Sequence, residues 1–331
     1  MSLASYLPKP SLDARLMGAH RLSLLTDDAL FDSCGVRVAF TGRRGGASPE
    51  PYASLNLGTH VGDDSSCVSE NRRRVLEALG APDAPLVVPN QVHKTDLVSI
   101  DGASVCRCAC MPADASQDYQ ENETWTTEDV DVSLIDSVGA AKTANDLAAK
   151  GADALVIRSV DVAGLLNFAD CTPVIIVSPS GNFAIAHAGW RGAVAGVASK
   201  AATNLIEADL SDEALKVAHP DFARASFQDV SAGCNVYIGP HIQVECFETG
   251  ADVADRFREA FPQARDAVVL DDRHVDLSQA VIADLVSIGV DPARICDCGI
   301  CTKCNHDEYF SYRAENGICG RHGAVAIRLK G

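Results

Sequence analysis

Apolar residues along this chain fall into short continuous runs and into stretches of helical period that alternate with one another, which predicts strands interleaved with helices. Val36 to Phe40 reads as a strand running into the basic, glycine-rich turn Thr41-Gly42-Arg43-Arg44-Gly45-Gly46. Over residues 64 to 79, Val68, Val75, Leu76 and Leu79 share the face of a helix that Asp64 or Ser65 caps and Gly80 with Pro82 ends. Leu86 to Val88 and Asp96 to Ile100 are short strands, and Pro89-Asn90-Gln91-Val92-His93 lies between them. After Gly151, four runs at 154–157, 163–168, 174–177 and 183–186 are apolar throughout, as strands buried on both faces are. The last of them enters His187-Ala188-Gly189-Trp190-Arg191-Gly192, which is expected to open one helix carrying Val194, Val197, Ala201 and Leu205 on its buried face. Helices through Val253, Phe257 and Phe261 and from Leu277 to Ile288, then a strand at 324–329, complete the pattern. No fixed-period repeat and no Pro-rich or Gly/Ser-rich linker divides it. The expectation is a single large α/β (α+β) domain over residues 1–331, with mixed β-sheets flanked by helices.

One stretch breaks the pattern. From about 103 to 148 periodicity fades, and between Met111 and Asp136 there are eight Asp or Glu and no Lys or Arg. Self-repulsion and little apolar area predict an acidic, mobile insert there.

Composition narrows the classes. Of 331 residues, 47% are hydrophobic and 22% charged, enough to build a sizeable core. A formal charge of −17 disfavours nucleic acid and anionic membranes, which are bound by clustered Lys and Arg. A small anion stays admissible, since a few local arginines outweigh a distant field. The start MSLASYLPKP has no basic, then apolar, leader, and no run approaches eighteen apolar residues, so a cytoplasmic protein is expected. Thirteen cysteines in such a chain point to thiols and metal ligands before disulfides.

Three residues at predicted strand edges carry candidate chemistry: His93, Cys171 and His187. Two imidazoles and a thiolate suit zinc, with copper the alternative ion, and leave a fourth position for water or substrate. The same residues can instead be a small buried thiol and two histidines satisfied by the backbone, and Cys171 with His187 can also form the thiolate–imidazolium pair of a cysteine hydrolase.

Their context is broader than any one motif. It comprises Arg43 with Gly45-Gly46, Ser54-Leu55-Asn56-Leu57-Gly58, His60-Val61-Gly62-Asp63-Asp64, Gln91-Val92-His93 and Ala152-Asp153-Ala154-Leu155. It continues with Ala169 to Val174, Ala186 to Gly192, Ile238-Gly239-Pro240, Glu248, Gly250 and Phe310-Ser311-Tyr312-Arg313. Across most of its length the chain thus resembles the laccase-domain purine nucleoside phosphorylases, a family formerly called multicopper polyphenol oxidases. The resemblance implies metal ligation by His93, Cys171 and His187, phosphate-dependent cleavage of adenosine, inosine or methylthioadenosine, and adenosine deamination. Phosphorolysis passes through an oxocarbenium-like ribose under attack by phosphate, so it asks for a cationic cradle. Arg43 is the first candidate; Asn56 and the Gly58 backbone can orient phosphate or ribose, and Arg191 with the amides opening its helix offers a second anion site or a structural ion pair. Asp170 is either catalytic or a support of the fold. Tyr309, Ser311, Tyr312 and Arg313 either complete the pocket or form a strand with one polar face.

The chain departs from that family in its acidic insert, in Cys319 where a hydroxyl residue is usual, and in its additional cysteines. Cys296, Cys298, Cys301 and Cys304 have spacings compatible with a second metal site, which Cys106, Cys108 and Cys110 can extend. A copper-dependent phenol oxidase is a poor match, because none of the nine histidines forms a His-x-His pair. A non-enzymatic sensor of nucleosides or cell-wall precursors is the remaining rival.

Overall fold

In chain order the strands of the computed structural model are β1 (Asp13–Met17), β2 (Leu22–Thr26), β3 (Val36–Thr41), β4 (Leu86–Val87), β5 (Leu97–Ile100), β6 (Ser104–Met111) and β7 (Thr124–Asp131), then β8 (Ala154–Ile157), β9 (Ala163–Phe168), β10 (Thr172–Val177), β11 (Phe183–Ala188), β12 (Asn235–Ile238), β13 (Ile295–Asp297) and β14 (His322–Arg328). The structure describes residues 3–102, 104–111, 124–131 and 136–330. Two sheets result, one in the order β1-β2-β3-β14-β9-β4 and one in the order β13-β12-β10-β11-β8-β5-β6-β7. Both are mixed: β4 with β9, β5 with β8 and β12 with β13 are parallel, and the other pairs antiparallel.

Why the central runs are apolar throughout is visible along β10. Ile175 and Val177 pack with Phe40, Leu166 and Ala326 of the first sheet. Val174 and Ile176 face the other way, onto Ala201, Leu205 and Leu285 of the helices Val197–Ser211 and Leu277–Ser287. Each fully buried side chain of this size contributes roughly 1.5–3 kcal/mol, so both faces stabilise the strand. The outer face of the first sheet is covered by the helix Ser65–Ala78, whose Val75 and Ala78 meet Leu22, Leu24 and Leu165. Asp64 caps that helix as expected, accepting from the Ser66 amide.

Three expectations are corrected. The single helix expected after His187 is two, Trp190–Val194 and Val197–Ser211, parted at Gly196, whose φ of 72° only glycine adopts at little cost. Val197, Ala201 and Leu205 keep their places on the core face of the second piece. Residues 309–313 run from a bend through irregular backbone into a turn, so of their two readings the strand is set aside.

The acidic stretch is regular wherever it is described. β6 pairs with β5 and β7, and the helix Ser137–Ala148 buries Ala140, Ala141, Ala144, Leu147 and Ala148. A face built mostly of alanines carries a weak hydrophobic signal yet packs closely, which is why the sequence reads there as a loop. Arg107 of β6 further ties the hairpin to Asp96, Nη2 to Oδ2 2.7 Å. Residues 103, 112–123 and 132–135 of that stretch lie outside the described residues. Among the described residues no helix is long and apolar enough to cross a membrane.

Candidate metal centre

Three chain segments deliver the three candidate ligands to the ends of β8, β10 and β11. His93 lies in the connection between β4 and β5; Cys171 sits in the turn from β9 to β10, which carries the chain between the sheets; His187 is the penultimate residue of β11. His93 itself and Asp170, the neighbour of Cys171, hold left-handed backbones, with φ of 60° and 86°. Such conformations are uncommon outside glycine and cluster where a site demands them. Their ligand atoms, two ring nitrogens and one sulfur, all lie within 4.8 Å of one another. The two imidazoles meet edge to face, centroids 4.8 Å apart at 77°.

A fully buried carboxylate orients both histidines. Asp153, one residue ahead of β8, is the cross-strand neighbour of His187: its Oδ1 takes the His187 Nδ1 at 2.8 Å. The same carboxylate accepts the amides of Val92 at 3.2 Å, His93 at 2.9 Å and Lys94 at 2.7 Å. With Nδ1 engaged, His187 presents Nε2 toward His93 and Cys171, the arrangement by which carboxylate–histidine pairs serve metals. Two imidazoles and a thiol converging in this way, with one tautomer set from behind, fit a zinc-type ion.

Electrostatics agree with that fit. Burial acts to raise the Cys171 thiol, but the His187 and His93 rings outweigh it and hold it down at about 6. Burial acts to lower His187, but the Cys171 sulfur and the Asp153 carboxylate outweigh it and hold the ring up. The thiol is thus disposed to be a thiolate, the form that binds metal.

Gly189 closes the cluster from the other side. A Cβ there would stand 3.1 Å from His93 Cδ2, 3.2 Å from Cys171 Sγ and 3.7 Å from His187 Cε1. Its φ of −65° and ψ of 165° suit any residue, so a substitution would act through contact alone. Gly189→Ala is expected to keep the fold but displace ligands by a few tenths of an ångström, weakening zinc about tenfold. A competition titration against a chromophoric chelator reads the change, and unchanged affinity would refute the role of this close approach.

The triad forms one wall of a cavity of about 430 Å³, within the span of roughly 300–1,000 Å³ usual for small-molecule sites. Trp190, Ile242, Phe247, Leu277 and Tyr312 supply its apolar surface. Arg313 and Arg321 supply positive charge, and neither has a carboxylate within ion-pair distance among the described residues. His60 at the rim is held below its ordinary value, chiefly by loss of hydration and then by Arg321 and Arg72. The Oδ1 of Asn167, also in the lining, is buried without a hydrogen-bond partner among the described residues. A buried acceptor of that kind asks for a donor, which a ligand can bring.

The other sequence candidates fall into two groups. Arg43 is not in the lining: its guanidinium pairs with Glu315 at 3.0 Å, donates to the carbonyls of Ala53 and His306, and stacks on Phe310. Arg191 is exposed and lies over its own Trp190 ring, at 4.2 Å, on a helix of five residues, too short to present an anion site. Neither arginine is among the residues lining the cavity; each guanidinium is engaged by a neighbour, Glu315 for Arg43 and the Trp190 ring for Arg191. Asn56 and Gly58 are buried behind it. Asn56 Oδ1 accepts the amides of Gly58 at 3.0 Å and Arg321 at 2.8 Å, so the pair shapes the loop under Arg321. Asp170 lines the cavity with both oxygens engaged, by the Thr302 hydroxyl at 2.6 Å and the Arg313 amide at 2.7 Å. It supports the fold and positions Arg313. Tyr312 and Arg313 reach the cavity; Tyr309 and Ser311 are buried outside its lining.

The expected cluster of Cys296, Cys298, Cys301 and Cys304 is also corrected. Cys296 and Cys298 pack against the core between the sheets, while Cys301 and Cys304 meet Cys246 and Glu245 instead. Cys106 and Cys108 lie 3.3 Å apart, sulfur to sulfur, on β6, and the side chain of Cys110 is outside the described residues.

Asp153, His60, Asn167 and Arg321 carry no assigned task in the sequence alone. A signal existed for Asp153: an aspartate directly before a strand buried on both faces has no solvent to meet and must find donors.

Comparison with known proteins gives consistent findings. A family profile described as multi-copper polyphenol oxidoreductase laccase matches residues 37–329. Adenosine deaminase RL5, from an unknown prokaryotic organism, is 29% identical over 267 residues, 79% of this chain and 82% of the relative. Purine nucleoside phosphorylase YlmD of Geobacillus stearothermophilus is 29% identical over 293 residues, 87% of this chain and 88% of the relative. The crystal structure of YlmD superimposes with a TM-score of 0.68 over 96% of this chain and 100% of YlmD, at 26% identity. The hypothetical protein YfiH of Bacillus licheniformis shares the fold, with a TM-score of 0.69 over 96% of this chain and 99% of YfiH at 24% identity.

Proposed function

That the chain belongs to the multi-copper polyphenol oxidoreductase laccase family is the premise from which we propose a zinc-dependent purine nucleoside phosphorylase, with adenosine deamination as a second activity of the same cavity. It transfers the ribosyl group of adenosine, inosine or methylthioadenosine to phosphate and releases the base. His93, Cys171 and His187 hold the ion, copper being the alternative occupant, and the reducing cytoplasm keeps the thiols available. The observation that carries this reading is one cavity lined by two imidazoles and a thiol together with two arginines that no carboxylate pairs among the described residues. The names of RL5 and YlmD support the same two activities.

When bound, zinc supplies a Lewis acid that polarises a substrate atom or activates water. The chain's own residues do the rest. Arg313 and Arg321 gather phosphate and offset its charge as it approaches the ribose. The Trp190 and Phe247 faces accept a planar base, and the buried Asn167 Oδ1 takes a hydrogen bond from a substrate N–H or O–H. Asp153 fixes His187, and Asp170 fixes the backbone of Arg313.

Purified protein, assayed for metal and then incubated with adenosine with and without phosphate, tests the proposal by chromatography. Adenine with ribose 1-phosphate is expected only when phosphate is present, and inosine without it. Failure of both reactions with metal-loaded protein would end the reading. Arg321→Ala is expected to raise the KM for phosphate about 10–100-fold with a smaller change in kcat, since a hydrogen bond to a charged group contributes about 1.5–3 kcal/mol. Arg321→Lys should recover part of it, and an unaltered phosphate KM would remove Arg321 from the cradle.

A further inference from the structure

Past the cavity wall, β12 and the edge strand β13 run out in parallel into two loops, and the bridge between His241 and Cys301 prolongs their pairing. One loop carries Glu245 and Cys246 and the other Cys301 and Cys304. One carboxylate oxygen and three sulfurs come together there, all within 4.8 Å of one another. Cys246 Sγ lies 3.4 Å from Cys304 Sγ. A disulfide would hold those atoms at about 2.05 Å. Two sulfurs on one tetrahedral zinc, each about 2.3 Å from it, stand about 3.8 Å apart. The cluster is therefore spaced for an ion between the sulfurs and not for a bond joining them. It is too tight for an iron–sulfur cluster, whose thiolates surround several irons. The buried Cys301 sulfur also accepts the Gln243 amide at 3.5 Å, the outer support that a thiolate ligand uses.

We infer that Glu245, Cys246, Cys301 and Cys304 form a second, structural metal site for a soft divalent ion of the zinc type. Three thiolates and a carboxylate close the tetrahedron and leave no vacancy, which sets the site apart from the three-ligand centre in the cavity. Binding releases the three thiol protons to solvent and involves no redox change. The ion would clasp two loops that serve the cavity: Phe247 and Ile242 line it beside Cys246, and Thr302, next to Cys301, holds Asp170. The inference does not depend on the activity proposed above.

The test is zinc stoichiometry of the full chain, purified under reductant, stripped with chelator, reloaded with zinc and dialysed. The double variant C171S/H187A is expected to retain one zinc per chain, and adding C304S should abolish it. A double variant with wild-type circular dichroism but no zinc would overturn the inference. So would zinc content indifferent to C246S and C304S, or a Cys246–Cys304 disulfide in freshly isolated protein. Should the double variant not fold, C304S alone suffices, because Cys304 is exposed. Cobalt-loaded C304S should lose one ion per chain and much of the thiolate-to-cobalt absorption of the wild type, and an undiminished spectrum would refute the site.

Discussion

Asp153→Ala is expected to unfold more readily than the wild type by about 3–5 kcal/mol, and to lose zinc affinity by 10–100-fold in the molecules that remain folded. Both effects have one source. The carboxylate is fully buried and accepts from three consecutive amides and from His187 Nδ1, so its removal leaves four donors without their acceptor, the His187 Nδ1 among them buried. It also frees the His93 loop and lets the His187 ring take the other tautomer. Asp153→Asn should fall between, since the amide keeps the shape and one acceptor oxygen but turns an NH2 toward donors. Urea melts of chelator-treated protein isolate the stability term, and competition titrations isolate the metal term. An alanine variant that melts like the wild type and holds zinc equally well would contradict the assigned role.

Cys171→Ala is expected to reduce nucleoside phosphorolysis by roughly 10³-fold. A Lewis acid contributes several kcal/mol to a transition state, at about 1.4 kcal/mol for each tenfold in rate. Chelator-treated wild type should lose activity to the same extent and regain it with zinc, whereas the alanine variant should not respond to added metal. The same pair of experiments separates the enzyme from a cysteine hydrolase. A hydrolase built on the Cys171–His187 pair would survive chelation and fail only on alkylation of the thiol or on its substitution. Melting temperatures of the two metal-free proteins should be close, because Cys171 lies in the cavity wall and is only partly buried.

How far the sequence carried the fold depends on how local each signal is. The runs at 154–157, 163–168 and 183–186 appear at or close to their expected places, because strands covered on both faces must be apolar at every position. The helix Ser65–Ala78 appears with its Asp64 cap, because a cap is a contact within three residues. The insert misled for the opposite reason: an alanine face gains its area from what packs on it, and a hairpin without a clean alternation of apolar and polar residues is held by the sheet it joins.

At the site the division is sharper. Residue chemistry alone determined the kind of centre: two imidazoles and a thiolate are a ligand set for a borderline metal wherever they meet. Which arginines face the cavity, which cysteines share a cluster and which carboxylate orients the histidines were decided by tertiary structure. Arg43 met Glu315, Cys301 met Cys246 and His187 met Asp153 across 272, 55 and 34 positions. A side chain's charge and softness are written in its own residue, but its partner is set by the register of strands and the course of loops far along the chain.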